Sequence, residues 1–249
     1  MDFVHRSNRD GIATLTLRRG KVNALNEDLV DQLHGALADL EDDPGTRAVI
    51  LTGNGKFFSF GFDIPEFLPH SREDFRRYVL KFTDLYTYAF AYPKPLVAAL
   101  NGHTIAGGCM LAITCDHRLM VSGKAKIALN EMGFGSTVFA GSVEMLRFCV
   151  GDANSARILY SGALYSAEEA KALGLVDTVV SGGELESAAR TVATELAGKP
   201  GPAFTSIKSM LRRPVAEAMH SREQESIAEF LDIWYSEGTR ENLKDIKIY

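Results

Sequence analysis

The sequence of 249 residues predicts an α/β fold of largely buried strands joined by crossover helices, closing with a region that is helical only. Three observations lead there. Short β-rich runs, IATLTL (12–17), AVILTG (48–53) and PLVAAL (95–100), alternate with helical patterns, as in parallel sheets covered on both faces. From Gly183 onward no strand pattern returns. Hydrophobic residues make up 46% of the chain, ample for one main domain with a sizeable core.

The elements follow in order. After the first strand, Asn26 is placed to cap a helix whose first turn carries Glu27 and Asp28 and whose apolar stripe is Leu29, Leu33, Leu37 and Leu40. Asp43-Pro44-Gly45 ends it. A second helix starts at Ser71, with Asp74 three residues on, and carries Phe75, Tyr78, Phe82, Leu85 and Tyr86 at helical spacing until Tyr92-Pro93-Lys94-Pro95. That aromatic stripe reads most simply as core, or else as the lining of an apolar pocket. Ser166 and Glu169 form a capping box for a helix stopped by Gly174, before the strand LVDTVV. The helical tail breaks at 199–202 and again at Arg213-Pro214. Its last helix, roughly 215–235, bears Ile227, Phe230, Leu231 and Trp234, too apolar for a free terminal helix, so it docks on the core or on another subunit.

A net charge of −5 argues against nucleic acid or anionic membrane as the partner, since both require clustered cations. No apolar run is long enough for a membrane span. The amino terminus lacks secretory and transit patterns, and the three cysteines, Cys109, Cys115 and Cys149, sit in apolar surroundings. They read as free buried thiols of a cytoplasmic protein. No His/Cys/Asp/Glu spacing points to a metal site.

Three segments carry candidate chemistry: KVNALN (21–26), NGKFFSFGFDIPEF (54–67), and NGHTIAGGCMLAITCD (101–116) followed by KAKIALNEMGFG (124–135). Gly61, Gly107 and Gly108 serve equally well as tight turns, and Asn23 and Asn26 as caps. Both glycine turns, however, follow strands and precede helices, where free backbone N–H groups face a crevice and suit an oxyanion.

FFSFGFDI resembles the FSAGxDL segment of the crotonase (enoyl-CoA hydratase/isomerase) superfamily, and NGHTIAGGCMLAITCDHRLMV resembles its second signature, NGxAxGGGxxLAxxCDxRxA. With KVNALN and SGALYSAEEAKALGLVDTVV the likeness covers about the first 180 residues in order. It implies a crotonase-like superhelix of strand-strand-helix turns over 1–195 and a helical, trimerising region over 196–249. It also implies an acyl-CoA substrate, with the thioester oxygen held by the N–H groups of Phe62 and Gly107. By the same resemblance CoA lies against Val22 to Ala24 and the loop of Phe60, Gly61, Phe62, Asp63 and Ile64, with Gly108 opening the helix whose positive end faces the enolate. Coenzyme A is then part of the substrate and no further cofactor is needed. The expected assembly is a homotrimer or a hexamer.

Hydratases of the superfamily hold a water between two glutamates. Here the first position is Met110, which neither accepts a proton nor orients water, and the second is Glu131. Val138 and Phe139 replace a Pro-Gly-rich turn and dry the pocket. A lone carboxylate suits proton transfer between two carbons, the pattern of delta-3,delta-2-enoyl-CoA isomerases, and desolvation by Met110 and Phe139 should raise its pKa. Without the resemblance, Glu131 reads as a surface carboxylate and Met110 as a core residue. Hydration, thioester hydrolysis and decarboxylation are the neighbouring reactions, and a non-catalytic acyl-CoA-binding paralogue is the alternative of another class. Lys21 and Lys56 are candidates for the CoA phosphates, His103 is a loop residue beside the oxyanion segment, and Phe60 narrows the CoA groove.

Overall fold

The computed structural model describes residues 1–248, and its buried strands lie where the apolar runs put them. One sheet has the order β1 (Val4–Arg9), β2 (Ile12–Leu17), β3 (Ala48–Gly53), β5 (Leu96–Leu100), β7 (His117–Val121), β9 (Thr178–Val180). All neighbours run parallel except the β1–β2 hairpin. A second sheet pairs three very short parallel strands, β4 (Phe57–Ser59), β6 (His103–Ile105) and β8 (Ile127–Ala128).

Each strand of the small sheet follows one of the large sheet and leads to a helix, so the chain winds through repeated strand-strand-helix turns. β3 and β4 lead to α2 (Ile64–Phe67) and α3 (Arg72–Ala91), and β5 and β6 lead to α4 (Gly107–Ala112). β7 and β8 lead to a 3₁₀ turn (Glu131–Phe134) and α5 (Ala140–Ser161), which is interrupted at Gly151. The ends of β4, β6 and β8 therefore lie side by side, and the next two or three residues of each face one another.

Between the sheet strands, α1 (Glu27–Asp42) is capped by Asn26, whose side chain accepts from the Leu29 N–H, and it buries all four leucines of its stripe. α3 is capped by Ser71 and buries the five expected residues. α6 (Ala167–Leu173) carries the capping box of Ser166 and Glu169 and ends at Gly174 in the left-handed region. α7 (Leu185–Ala197) covers one face of the large sheet, where Leu185, Ala189 and Ala193 join Ile50, Val97 and Leu119.

The helical tail differs from expectation at one point: α8 (Gly201–Trp234) runs unbroken through Pro214. Proline there removes one bond to the carbonyl four residues back, that of Met210, a residue that is 67% exposed. On the near side of the proline the helix is held by a buried ion cluster in which Asp116 meets Lys208 Nζ at 2.7 Å and an Arg212 guanidinium nitrogen at 3.0 Å. Beyond it, Met219, Ile227, Phe230, Leu231 and Trp234 are buried in the main core, so this segment docks on its own chain. α9 (Glu237–Lys244) closes the described structure. No helix among the described residues is long and apolar enough to cross a membrane.

Candidate active site

The three strand ends of the small sheet deliver three groups to one cavity of about 370 Å³: Phe62 and Gly107, which the sequence marks for their N–H groups, and Glu131. The first is set by the segment 22–25, which lies alongside 60–63. Phe60 N donates to the Val22 carbonyl at 3.0 Å, Asp63 N to the Leu25 carbonyl at 3.0 Å, and Gly61 N to Ser59 Oγ at 3.1 Å. Among residues 60–63 only the Phe62 N–H has no acceptor among the described residues. Asn23 fixes this arrangement from a left-handed backbone (φ 51°), its side-chain amide donating to the carbonyls of Asn54, Phe57 and Phe58.

Gly107 opens α4, so its N–H has no partner within the helix. The two turns touch: a Cβ on Gly61 (φ 90°) would lie 3.0 Å from Gly107 N and 2.9 Å from the Ile105 carbonyl. Only glycine leaves that N–H uncovered. Gly108 is required differently, since a Cβ there would fall 2.5 Å from the Ser59 carbonyl. Ala106, between β6 and α4, adopts φ 49° and ψ −119°, a strained conformation for a residue with a side chain, and strain of that kind gathers at functional turns.

Glu131 enters the cavity from the 3₁₀ turn. Its carbonyl accepts from Ser136 N at 3.0 Å, and α9 grips the turn through Thr239 Oγ1 to the Gly135 carbonyl (2.6 Å) and Asn242 Nδ2 to the Phe134 carbonyl (3.2 Å). Glu131 is 6% exposed, and its Oε2 has no hydrogen-bond partner among the described residues. Burial without a counter-charge pushes its pKa up to about 8. Among the described residues no other group lining this cavity titrates, and Met110, Phe139, Phe230 and Trp234 are apolar members of the same lining.

The other marked residues divide. Phe60, Ile64, Met110 and Phe139 line the cavity, with Phe60 also bordering a second cavity of about 620 Å³ that holds Val22, Lys21, Lys56 and Lys247. Asp63 does not line either: it pairs with Arg19 at 2.5 Å and caps α2 through the Glu66 N–H, so its work is to hold the loop. Ala24, Gly61 and Gly108 stand behind the lining and shape it. His103 lies outside both cavities, its Nδ1 accepting from Lys126 N at 3.2 Å and its ring 5.0 Å from that of Phe57. Burial raises the pKa of all three thiols, Cys115 to about 12, which removes them as nucleophiles. Sequence reasoning did not assign Phe230, Trp234 or Ile246 to the site, although the apolar excess of α8 announced that its face must be covered.

This arrangement, one desolvated carboxyl group sharing a cavity with two residues whose N–H groups find no acceptor among the described residues, agrees with comparison to known proteins. Residues 7–243 match the family model described as enoyl-CoA hydratase/isomerase, and the chain belongs to that family, the crotonases. It is 37% identical over 193 residues to a putative enoyl-CoA hydratase of Thermus thermophilus, covering 76% of this chain and 75% of that one. It is 30% identical over 235 residues to mitochondrial enoyl-CoA delta isomerase 1 of Mus musculus, covering 94% and 81%. The crystal structure of human mitochondrial delta3-delta2-enoyl-CoA isomerase superposes with a TM-score of 0.94 at 27% identity, covering 98% of this chain and 96% of that one.

Proposed function

We propose that this acyl-CoA enzyme isomerises 3-enoyl-CoA to trans-2-enoyl-CoA with Glu131 as its single base. The ionised carboxylate takes a proton from C2, the electron pair moves through C1 to the thioester oxygen, and the Phe62 and Gly107 N–H groups donate to the dienolate that forms. The resulting carboxylic acid returns the proton at C4, leaving the double bond at C2–C3. One oxyanion donor contributes roughly 2.7–4 kcal/mol in the transition state, and a base in this role about 100- to 10,000-fold in rate. The observation that carries the reading is that Glu131 is the one titratable group lining the cavity among the described residues, while Met110, the position at which the resemblance expects a second glutamate, is an apolar part of the lining. A base of pKa about 8 also matches the weak acidity of a carbon next to a thioester better than an ordinary carboxylate does.

Hydration is the second reading. It is favoured by the Thermus thermophilus relative and by Asn130 Oδ1 and Ser136 Oγ, buried polar atoms without partners among the described residues, in the same turn region as Glu131 and able to hold a water. Purified protein offered 3-hexenoyl-CoA and crotonyl-CoA separates the two: rapid formation of the conjugated 2-enoyl thioester with slow hydration supports isomerisation, and the reverse pattern rejects it. Binding of acyl-CoA with background turnover of both identifies a non-catalytic paralogue.

For CoA itself, Lys21, Lys56 and Lys247 around the second cavity are the cations we assign to the phosphates. Exposed apolar side chains on α8, namely Ile207, Met210 and Leu211, support the homotrimer or hexamer, which light scattering on the eluted protein tests. Free thiols fit a reducing compartment such as the cytoplasm.

A further inference from the structure

The cavity has an open and a closed end. At the open end Leu164 is 52% exposed and Gly133 is exposed; at the closed end Phe139, Phe230 and Trp234 are 1%, 3% and 2% exposed. Resting on the isomerase reading, we propose that this closed aromatic end, built largely by the C-terminal helix α8, sets the longest acyl chain the enzyme accepts.

The three rings form one continuous wall. Phe139 and Phe230 have centroids 4.6 Å apart, and Phe230 and Trp234 5.7 Å. A second aromatic layer stands behind them: Phe75 lies 4.5 Å from Trp234, and Phe82 lies 6.4 Å from Phe139. Phe75, Phe82 and the neighbouring Tyr86 are completely buried, so no channel continues through α3. The aromatic stripe read from the sequence is thus the backing of the pocket, one layer removed from its lining.

The wall is also anchored. α5 has no side-chain cap of its own; α8 supplies the missing acceptors, with Ala140 N donating to Ser226 Oγ at 3.0 Å and Gly141 N to Glu223 Oε2 at 2.8 Å. The Tyr86 hydroxyl of α3 donates to the same Glu223 carboxylate. A Cβ on Gly141 would lie 2.6 Å from the Tyr86 oxygen, so the junction has no room to slacken. Phe139, at the start of α5, is therefore held by the helix that carries Phe230 and Trp234, and a long chain meets a surface that does not yield by rotation of one side chain.

Taking about 30 Å³ per heavy atom as a scale, the cavity of about 370 Å³ holds roughly a dozen atoms. With the thioester oxygen and sulfur counted, at most roughly ten acyl carbons remain, since the open end beside Phe60 also takes part of the CoA arm. Until the wall is reached, each added methylene should tighten binding about fourfold, the equivalent of about 0.8 kcal/mol.

The test is calorimetric titration of the whole protein with saturated acyl-CoAs from four to sixteen carbons, alongside turnover of 3-enoyl-CoAs of the same lengths. Wild type should show dissociation constants falling about fourfold per methylene up to a break at no more than about ten carbons and rising beyond it. Phe230→Ala should move the break outward by about two to four carbons, and Phe230→Leu, which keeps most of the packing, by fewer. A wild-type series that tightens without a break to sixteen carbons overturns the proposal. So does a break that neither variant moves, or an equal loss at every length. Saturated ligands report on the wall alone: a break that moves as expected, in a protein that isomerises nothing, rejects the proposed reaction and leaves this inference standing.

Discussion

Replacing Glu131 with glutamine should stabilise the protein in alkaline solution. The carboxyl group is buried without a counter-charge, and its pKa rises from 4.5 to about 8. Between these values the folded state holds a proton that the unfolded chain releases, so stability falls as pH rises through this window. The loss is absent below about pH 4.5 and complete above about pH 8. At roughly 1.36 kcal/mol per unit, the full shift corresponds to about 5 kcal/mol, an upper value because the turn can relax and admit water. Half of it would still displace the melting temperature by about 5–10 °C in a chain of this size. Glutamine keeps the shape and removes the charge. Melting curves of wild type and Glu131→Gln should therefore nearly coincide at pH 5 and separate at pH 9, with the variant higher. In wild type, kcat/KM should climb about tenfold per pH unit on the acidic side and level off above about pH 8. Equal melting differences at pH 5 and pH 9, or a rate already flat at pH 6, would refute the assignment of a desolvated base.

Other outcomes follow from the same geometry. Glu131→Gln should lower kcat by about 100- to 10,000-fold while KM moves little, since the proposed base acts on the proton and not on CoA. Gly108→Ala, whose Cβ meets the Ser59 carbonyl at 2.5 Å, should cost about 1–3 kcal/mol in urea denaturation, whereas Gly107→Ala, which meets only the side chains of Leu25 and Phe62 at 3.2 Å, should cost less. Asp116→Ala leaves Lys208 and Arg212 buried without their carboxylate and should cost about 3–5 kcal/mol, measured in the same way.

Local chemistry made much of the fold legible. A cap at Asn26 with four leucines at helical spacing, and a capping box at Ser166, specify their helices within a dozen residues, and tertiary contacts did not override them. The strands of the small sheet, two or three residues each, are too short to show any period, yet their ends position the whole site. β1 is exposed at five of its six residues and carries no apolar pattern; the Asp10-Gly11 hairpin turn was its one available signal. Pro214 misleads because propensity weighs one residue, while buried contacts on both sides of it hold α8 straight through.

Within the site, Phe62, Gly107 and Glu131 became visible only through the register of three motifs, since a glycine turn or a lone glutamate has no meaning in isolation. Phe230 and Trp234 lie about 100 residues beyond Glu131 on a helix with no motif, and only packing brings them to the cavity. Asp63 falls inside a recognisable motif and still faces Arg19, a partner 44 residues earlier that no spacing rule connects to it.

The claim on which the account depends is that one carboxyl group carries the same proton from C2 to C4. Isomerisation of a 3-enoyl-CoA in deuterium oxide, with the isotope at C4 of the product read by mass spectrometry after a single turnover, tests it most directly. A buried lone base predicts that a substantial fraction of product carries no deuterium at C4, because the proton added there travels on Glu131 from C2 without reaching solvent. One deuterium at C4 in every wild-type product molecule, or unchanged transfer in Glu131→Gln, would contradict it.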